Sequence, residues 1–326
     1  MVWLWLGFIA LVLSLLAIDL GVFHRRAHAV SMKESLLWSG VWVALALGFS
    51  VFVYFLYEYR LFGISIDGGG RAAATLFLTG YLIEESLSMD NLFVIAMVLT
   101  YFAVPWKLQH RVLFWGIMGA IVMRGTMIGA GVVLVRMFSW TLYLFGAFLI
   151  AAAVRMLLSK SEFDPRENFL VRQARRFFPV TDDFDGQRFV SRKAGRRALT
   201  PLALALAAVE GADAVFAVDS IPAIFAVTDV PFIIFTSNVF AILGLRSLYF
   251  ALVGVMSKLR FFKASLIVLL MLIGLKLLLK DVLHTIPGLT YWTIGAILAV
   301  LAGGVAASLA YEPLRRLRAS RSKAAN

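Results

Sequence analysis

Apolar residues run along this chain in long stretches, and short clusters of charge separate them. A helix rising about 1.5 Å per residue needs roughly 20 apolar residues to cross a hydrocarbon core. Nine segments meet that length: residues 2–22, 36–57, 74–99, 108–133, 137–158, 199–227, 231–256, 262–283 and 289–311. Runs such as LIVLLMLIGLKLLL from Leu266 lack the two-residue alternation that a membrane barrel strand requires. The pattern therefore predicts an all-α polytopic membrane protein with about nine transmembrane helices.

Composition agrees with this. The chain is 61% hydrophobic with a mean hydropathy of +0.88, outside the range of ordinary soluble domains. It has no cysteine, which excludes disulfides, thiolate metal sites and cysteine catalysis. A net charge of +12 raises the question of a nucleic-acid partner, but the positions of the charges answer it as topology. Of the Lys and Arg residues, 23 fall on the side reached after the first span, in the loops and in the tail from Arg315. Only four, Arg60, Arg71, Arg136 and Lys280, fall on the opposite side, and Arg124, Arg155, Arg246 and Lys276 lie within spans. The positive-inside rule then places the N-terminus outside and the C-terminus in the cytoplasm of an inner (plasma) membrane. No positive charge precedes the first span and Arg25, Arg26 and Lys33 follow it, so it is expected to stay as an anchor.

The chain divides into a two-helix unit (1–57), three spans (74–158), a basic linker (159–198), three more spans (199–283) and a final helix with a basic tail (289–326). The linker holds ten basic and six acidic residues and reads as a cytoplasmic connector suited to an anionic lipid face. No glycine–aromatic recognition motif accompanies it, so no nucleic-acid partner is expected.

Short matches recur at a nearly constant offset. DNLFVIAM from Asp90 pairs with DAVFAVDS from Asp213, and FAV at Phe102 with FAV at Phe225, both 123 residues apart. GIMGA ending at Ala120 resembles AILGL ending at Leu245, and AVRMLLSK from Ala153 resembles GLKLLLKD from Gly274. Spans three to five thus repeat as spans six to eight. With an odd number of spans in each repeat and a cytoplasmic linker between them, the two are expected to be inverted. Transporters frequently use that design, with the substrate site near the midplane where the halves meet.

The first span of each repeat carries unusual residues: EESLSMDN from Glu84 to Asn91, and EGADAVFAVDSIP from Glu210 to Pro222. An acid near the bilayer centre costs roughly 2.5 to 3.5 kcal/mol even on insertion scales, so six of them require protons, basic partners or a bound cation. Arg124 and Arg246, mid-span, are the available charge partners, and two arginines cannot neutralise six carboxylates. The surplus oxygen suits a hard or intermediate divalent cation such as Mg(II), Ca(II) or Mn(II). The lack of cysteine and the scattering of His24, His28, His110 and His284 argue against zinc and copper.

At about 100° per residue, Glu84, Ser88 and Asn91 share a helix face, as do Glu210 and Asp213. Pro222 has no N–H for the Val218 carbonyl, so a kink or opening beside Asp219 and Ser220 is expected. Glu85 lies on a different face from Glu84 and suits an interfacial role as well as ligation. Asp19 is placed to pair with the basic loop, Asn238 is a ligand amide or an interhelical hydrogen-bonding group, and Asp229 in the turn TDVP is expected to be exposed.

These residues carry a family resemblance. DLGVFHRRAHAVSMKESLLWS from Asp19, IEESLSMDNLFV from Ile83, FAVDSIPAIFAVTDVPFIIFTSNVFAILGLRSLYF from Phe216 and the GLKLLLKD stretch resemble the TerC family of bacterial membrane proteins, in particular its Alx branch. The resemblance implies metal-ion homeostasis, with manganese export as the activity and an older association with tellurite resistance. It places the acidic site residues on Glu84, Asp90, Glu210, Asp213 and Asp219, with Asn91 and Asn238 as nearby polar candidates.

The expectation is therefore a non-enzymatic transporter without a prosthetic group, moving Mn(II) outward, with proton exchange as the drive and lipid as its surroundings. An intramembrane aspartyl protease would need only an aspartate dyad, and its GxGD signature is absent. A membrane partner protein that helps metalate secreted proteins would dock through the linker. On that contrast, deleting residues 165–195 should largely spare transport and abolish docking.

The charge distribution makes a direct prediction. Cysteine introduced as Ser322→Cys should react with an impermeant maleimide only after cells are opened, and Gly69→Cys should react in intact cells. The reverse labelling pattern would overturn the topology.

Overall fold

A computed structural model describes residues 2–21, 32–158, 168–193, 196–253, 261–283 and 288–324. Each of the nine expected spans has a helix. They are α1 (Val2–Gly21), α2 (Met32–Glu58), α3 (Gly69–Tyr101), α4 (Trp106–Met137), α5 (Thr141–Leu158), α7 (Pro201–Phe225), α8 (Pro231–Val253), α9 (Phe262–Leu278) and α11 (Leu289–Ala324). Short α6 (Phe169–Phe177) and α10 (Lys280–Leu283), a 3-10 turn at Leu61–Gly63, and a hairpin of β1 (Val190–Lys193) and β2 (Arg196–Leu199) complete the described residues. His24, His28, His284, Arg25 and Arg26 lie outside them, as does the side chain of Asp19.

Six helices, α2, α4, α5, α7, α8 and α11, are long and apolar enough to cross a membrane by length and composition alone. The apolar stretch of α1 described in that way, Val2–Ile18, and the 17 residues of α9 fall just short. Polar residues at Glu84, Glu85, Ser86, Ser88, Asp90 and Asn91 interrupt α3. The exterior carries large apolar side chains, including Leu13, Leu37, Val122, Leu144 and Trp292, as lipid contact demands. The final helix runs past residue 311 to Ala324, through a sequence rich in the good helix formers Leu, Arg, Ala and Lys.

Lipid tails are as apolar as leucine, so helices here associate by close packing, and small residues set the approach. Contacts at these glycines also give the helix directions. Gly80 on α3 meets Ile224 on α7, while Asn91 further along α3 meets Asp213, so α3 and α7 are antiparallel. Gln109 and Arg124 on α4 meet Tyr249 and Asn238 on α8, also antiparallel. Gly146 and Ile150 on α5 meet Leu277 and Gly274 on α9, again antiparallel. By contrast, Gly116 and Gly131 on α4 receive Val209 and Phe225, so α4 and α7 run in the same direction. The contacts also exchange symmetrically: α3 packs on α8 as α4 packs on α7. On the far side of α8, Phe8, Phe49, Phe232 and Phe240 cluster edge to face and tilted, with Phe49 and Phe240 centroids 4.7 Å apart.

The linker departs from a passive connector. Asn168 caps α6 by accepting from the Leu170 and Val171 amides, and its own amide donates to the Ala208 carbonyl on α7 at 3.2 Å. Val171 is 1% exposed, and Arg111 of α4 donates to Gln187 at 3.1 Å and lies over the Phe189 ring. Thr200 joins the hairpin to α7, donating to the Arg188 carbonyl while capping the Ala203 amide, with Pro201 in the first turn. Removing residues 165–195 would unpack α7, so transport is not expected to survive that deletion.

The α5–α9 contact tests small-residue packing, because glycines of both helices meet there. A Cβ at Gly146 would stand 2.9 Å from the Gly274 carbonyl oxygen and 2.9 Å from the Leu277 Cβ, so backbone must move. Gly146→Ala should destabilise the folded protein by about 1–3 kcal/mol in reversible unfolding in mixed micelles. Gly129→Ala, where nothing lies within 4 Å, should be neutral or slightly stabilising.

Candidate functional site

The spacing that put Glu84, Ser88 and Asn91 on one face of α3 buries all three, at 1%, 0% and 4% exposure. They face the middle of α7 and α4. Arg124, itself 1% exposed, extends from α4 into this space. Its Nη2 donates to Asp213 Oδ1 at 2.9 Å and its Nε to Asp213 Oδ2 at 3.3 Å, a two-pronged pair. Its Nη1 forms an ion pair with Glu84 Oε1 and reaches Ser220 Oγ at 3.3 Å and Asn238 Oδ1 at 3.4 Å. Ser88 Oγ donates to Glu84 Oε1 at 3.5 Å, and Asn91 Nδ2 donates to Asp213 Oδ1 at 3.4 Å. One guanidinium thus ties together α3, α4, α7 and α8.

Two acceptors in this network have no partner. Glu84 Oε2 and Asn91 Oδ1 are buried without a hydrogen bond among the described residues. A buried unpaired acceptor costs about 1–3 kcal/mol, more if charged, so these two oxygens mark a place where a further positive group or donor fits. With the Asp213 carboxylate and the Asn238 amide, they form a donor set of hard oxygens.

The five carboxylates expected at one site are divided. Glu84 and Asp213 meet at Arg124. Glu210, one turn before Asp213, lies against α4 at Gly119, where a Cβ would run into its carboxylate. Asp90 and Asp219 are half-buried and within electrostatic reach of each other, Asp90 also of Lys263 and Asp219 of Arg155. Among the described residues, no three Asp, Glu, His or Cys side chains stand close enough to hold a metal together. A single site built from all five acids is therefore not the arrangement of this structure.

Other expectations also resolve. Arg246 is buried at 5% exposure on α8. Glu85 is half-buried, with its Oε2 enclosed and without a hydrogen-bond partner among the described residues. Asp229 is exposed, and with Arg136 it lines a cavity of about 710 Å³ that also touches Tyr57 and Phe225. The helix does not open at Pro222, since α7 is continuous to Phe225 with Pro222 inside it, three residues before its end. Sequence reasoning does not single out Asn168 or Gly119. A Cβ at Gly211 would fall 2.5 Å from Asn168 Oδ1, so a glycine next to Glu210 is the one signal of that contact in the chain.

Comparison with known proteins follows from this geometry. Residues 70–316 match the model of the integral membrane protein TerC family. The chain is 45% identical to an uncharacterized membrane protein of Myxococcus xanthus, over 98% of this chain and 95% of that protein. It is 46% identical to Alx of Escherichia coli K12, named as a proposed membrane-bound redox modulator, over 86% of this chain and 87% of that protein. An uncharacterized membrane protein of Rickettsia bellii is 36% identical over 94% of this chain and 96% of its own length. No solved structure matches the chain.

Because Glu84 and Asp213 share Arg124, their removal should not be additive. In reversible unfolding, Glu84→Gln and Asp213→Asn should show a coupling energy of about 0.5–3 kcal/mol, the range for residues in one network. Asp90→Asn and Asp213→Asn share no partner among the described residues and should add within about 0.5 kcal/mol. Additivity in the first pair would break the network assignment.

Proposed function

The chain belongs to the TerC family of integral membrane proteins, and from that premise we propose that it carries a hard divalent cation, Mn(II) foremost, out of the cytoplasm. The observation that carries this reading is the pair of unpartnered buried oxygens, Glu84 Oε2 and Asn91 Oδ1, beside the Asp213 carboxylate. Carboxylate and amide oxygens are the ligands that Mg(II), Ca(II) and Mn(II) prefer, and the family resemblance selects Mn(II) among them. Asp90, Glu210 and Asp219, half-buried on the same two helices, add further carboxylate oxygen near this centre. Carboxylates that hold a cation in one state and protons in another supply proton exchange as the drive, without a nucleotide site.

The helix directions support two inverted halves. The equivalents α3 and α7, α4 and α8, and α5 and α9 each run antiparallel, and the network lies where the halves meet. Inverted halves provide alternating access by rocking one against the other around a central site. The charge distribution supports an inner-membrane placement with the C-terminus in the cytoplasm. Redox action by thiol exchange, one simple meaning of the name carried by Alx, is closed to a chain without cysteine.

The test is cellular manganese. In cells lacking their own manganese exporters, expression of the wild-type chain should lower cell manganese and restore growth in excess MnCl₂. Glu84→Gln and Asp213→Asn each replace an anionic ligand by a neutral amide and should lose this protection at equal protein level, whereas Asp229→Asn should keep it. Unchanged cell manganese on expression of the wild type would overturn the proposal.

A further inference from the structure

Resting on that reading, the geometry points to Arg124 as a tethered competitor for the transported cation, seated on Glu84 and Asp213 when they hold no ion and moving to Glu210 when they do. Glu84 and Asp213 bring two negative charges and Arg124 one positive charge into a place closed to water. The resting network carries one uncompensated negative charge, a divalent cation added beside Arg124 would turn it into one uncompensated positive charge, and a third carboxylate, Glu210, stands one turn away on α7 to take that up. A divalent cation in place of the guanidinium leaves the pair neutral. Exchange, with the guanidinium moved to Glu210, balances each place separately.

Exchange needs a second seat for the guanidinium, and α4 supplies one. Glu210 lies against Gly119, five residues before Arg124 and about 7.5 Å back along the helix axis. Side chains on a helix lean toward its N-terminus, which is the direction of Gly119. Glycine at 119 lets the Glu210 carboxylate lie directly on α4, and among the described residues that carboxylate makes no ion pair or hydrogen bond. Asp213 and Glu210 sit one turn apart on α7, so the second carboxylate lies next along the helix from the one that Arg124 already holds.

This assigns Glu210 a role different from ligation, and the two roles separate experimentally. The measurement is Mn(II) affinity of purified full-length protein in detergent, at fixed pH and salt, with thermal stability checked for every variant. Removing a competitor that holds the site nine-tenths of the time should tighten apparent affinity about tenfold, so Arg124→Gln should bind Mn(II) more tightly than wild type while losing transport. Glu210→Gln should weaken binding several-fold when Arg124 is present and have no effect in the Arg124→Gln background. Weaker binding in Arg124→Gln, or an equal loss from Glu210→Gln in both backgrounds, would overturn the inference and make Glu210 a ligand. If Arg124→Gln does not fold, Arg124→Lys keeps the charge with a single point contact and should bind more tightly than wild type; unchanged or weaker binding there overturns it equally. Absence of Mn(II) binding in wild type with intact stability would instead remove the proposed function on which this rests.

Discussion

The Arg124 guanidinium organises the centre of this protein. It is among the largest fully buried side chains, and every group it meets belongs to another helix: Glu84 on α3, Asp213 and Ser220 on α7, Asn238 on α8. In a bilayer, where helices gain nothing from hiding apolar surface from one another, close packing and polar contacts at such a junction set the register together. The planar fork also explains why arginine serves here. Lysine's single ammonium cannot hold a carboxylate in two prongs while reaching a second.

The helices around it are legible in the sequence because the bilayer imposes a length and a polarity on each span. Loop charges order the spans, and the repeat groups them. The small elements are not legible. The α6 helix is only nine residues long and its sequence, FLVRQARRF, is basic enough to be read as a solvated connector. What seats it is tertiary: Val171 buried against the bundle and Asn168 bonded to Ala208, neither announced by composition or periodicity. The extension of α11 to Ala324 escapes hydropathy for a related reason, since hydropathy marks where lipid ends, not where a helix ends.

At the site, helix periodicity brings Glu84, Ser88 and Asn91 together correctly, and places Glu210 and Asp213 on one face toward α4. Periodicity within one helix says nothing of which face meets which helix, so five acids look like one cluster when the fold separates them. The repeat carries more of this information than periodicity does. Arg124 and Arg246 are 122 residues apart, close to the offset of the other matches, so the two arginines occupy equivalent places in the halves. Arg124 spans both groups of helices, pairing with Glu84 of α3 beside it and with Asp213 of α7 across from it.

The inequality between the halves then becomes informative. Under the repeat offset Asp213 corresponds to Asp90, yet Glu84, Glu210 and Asp219 fall opposite apolar or small residues. A symmetric site would present the same chemistry to both membrane faces. Here α7 carries three of the acids and is held at two places, by Asn168 at Ala208, two turns into the helix, and by Phe225 packed on Gly131 at its end. Ala208 and Phe225 lie 17 residues apart on one continuous helix, about 25 Å at 1.5 Å per residue, close to the thickness of a hydrocarbon core. The three acids of α7 therefore lie between these two contacts, and the asymmetry of the halves is concentrated on the one helix that touches Arg124, Gly131 and Asn168 together.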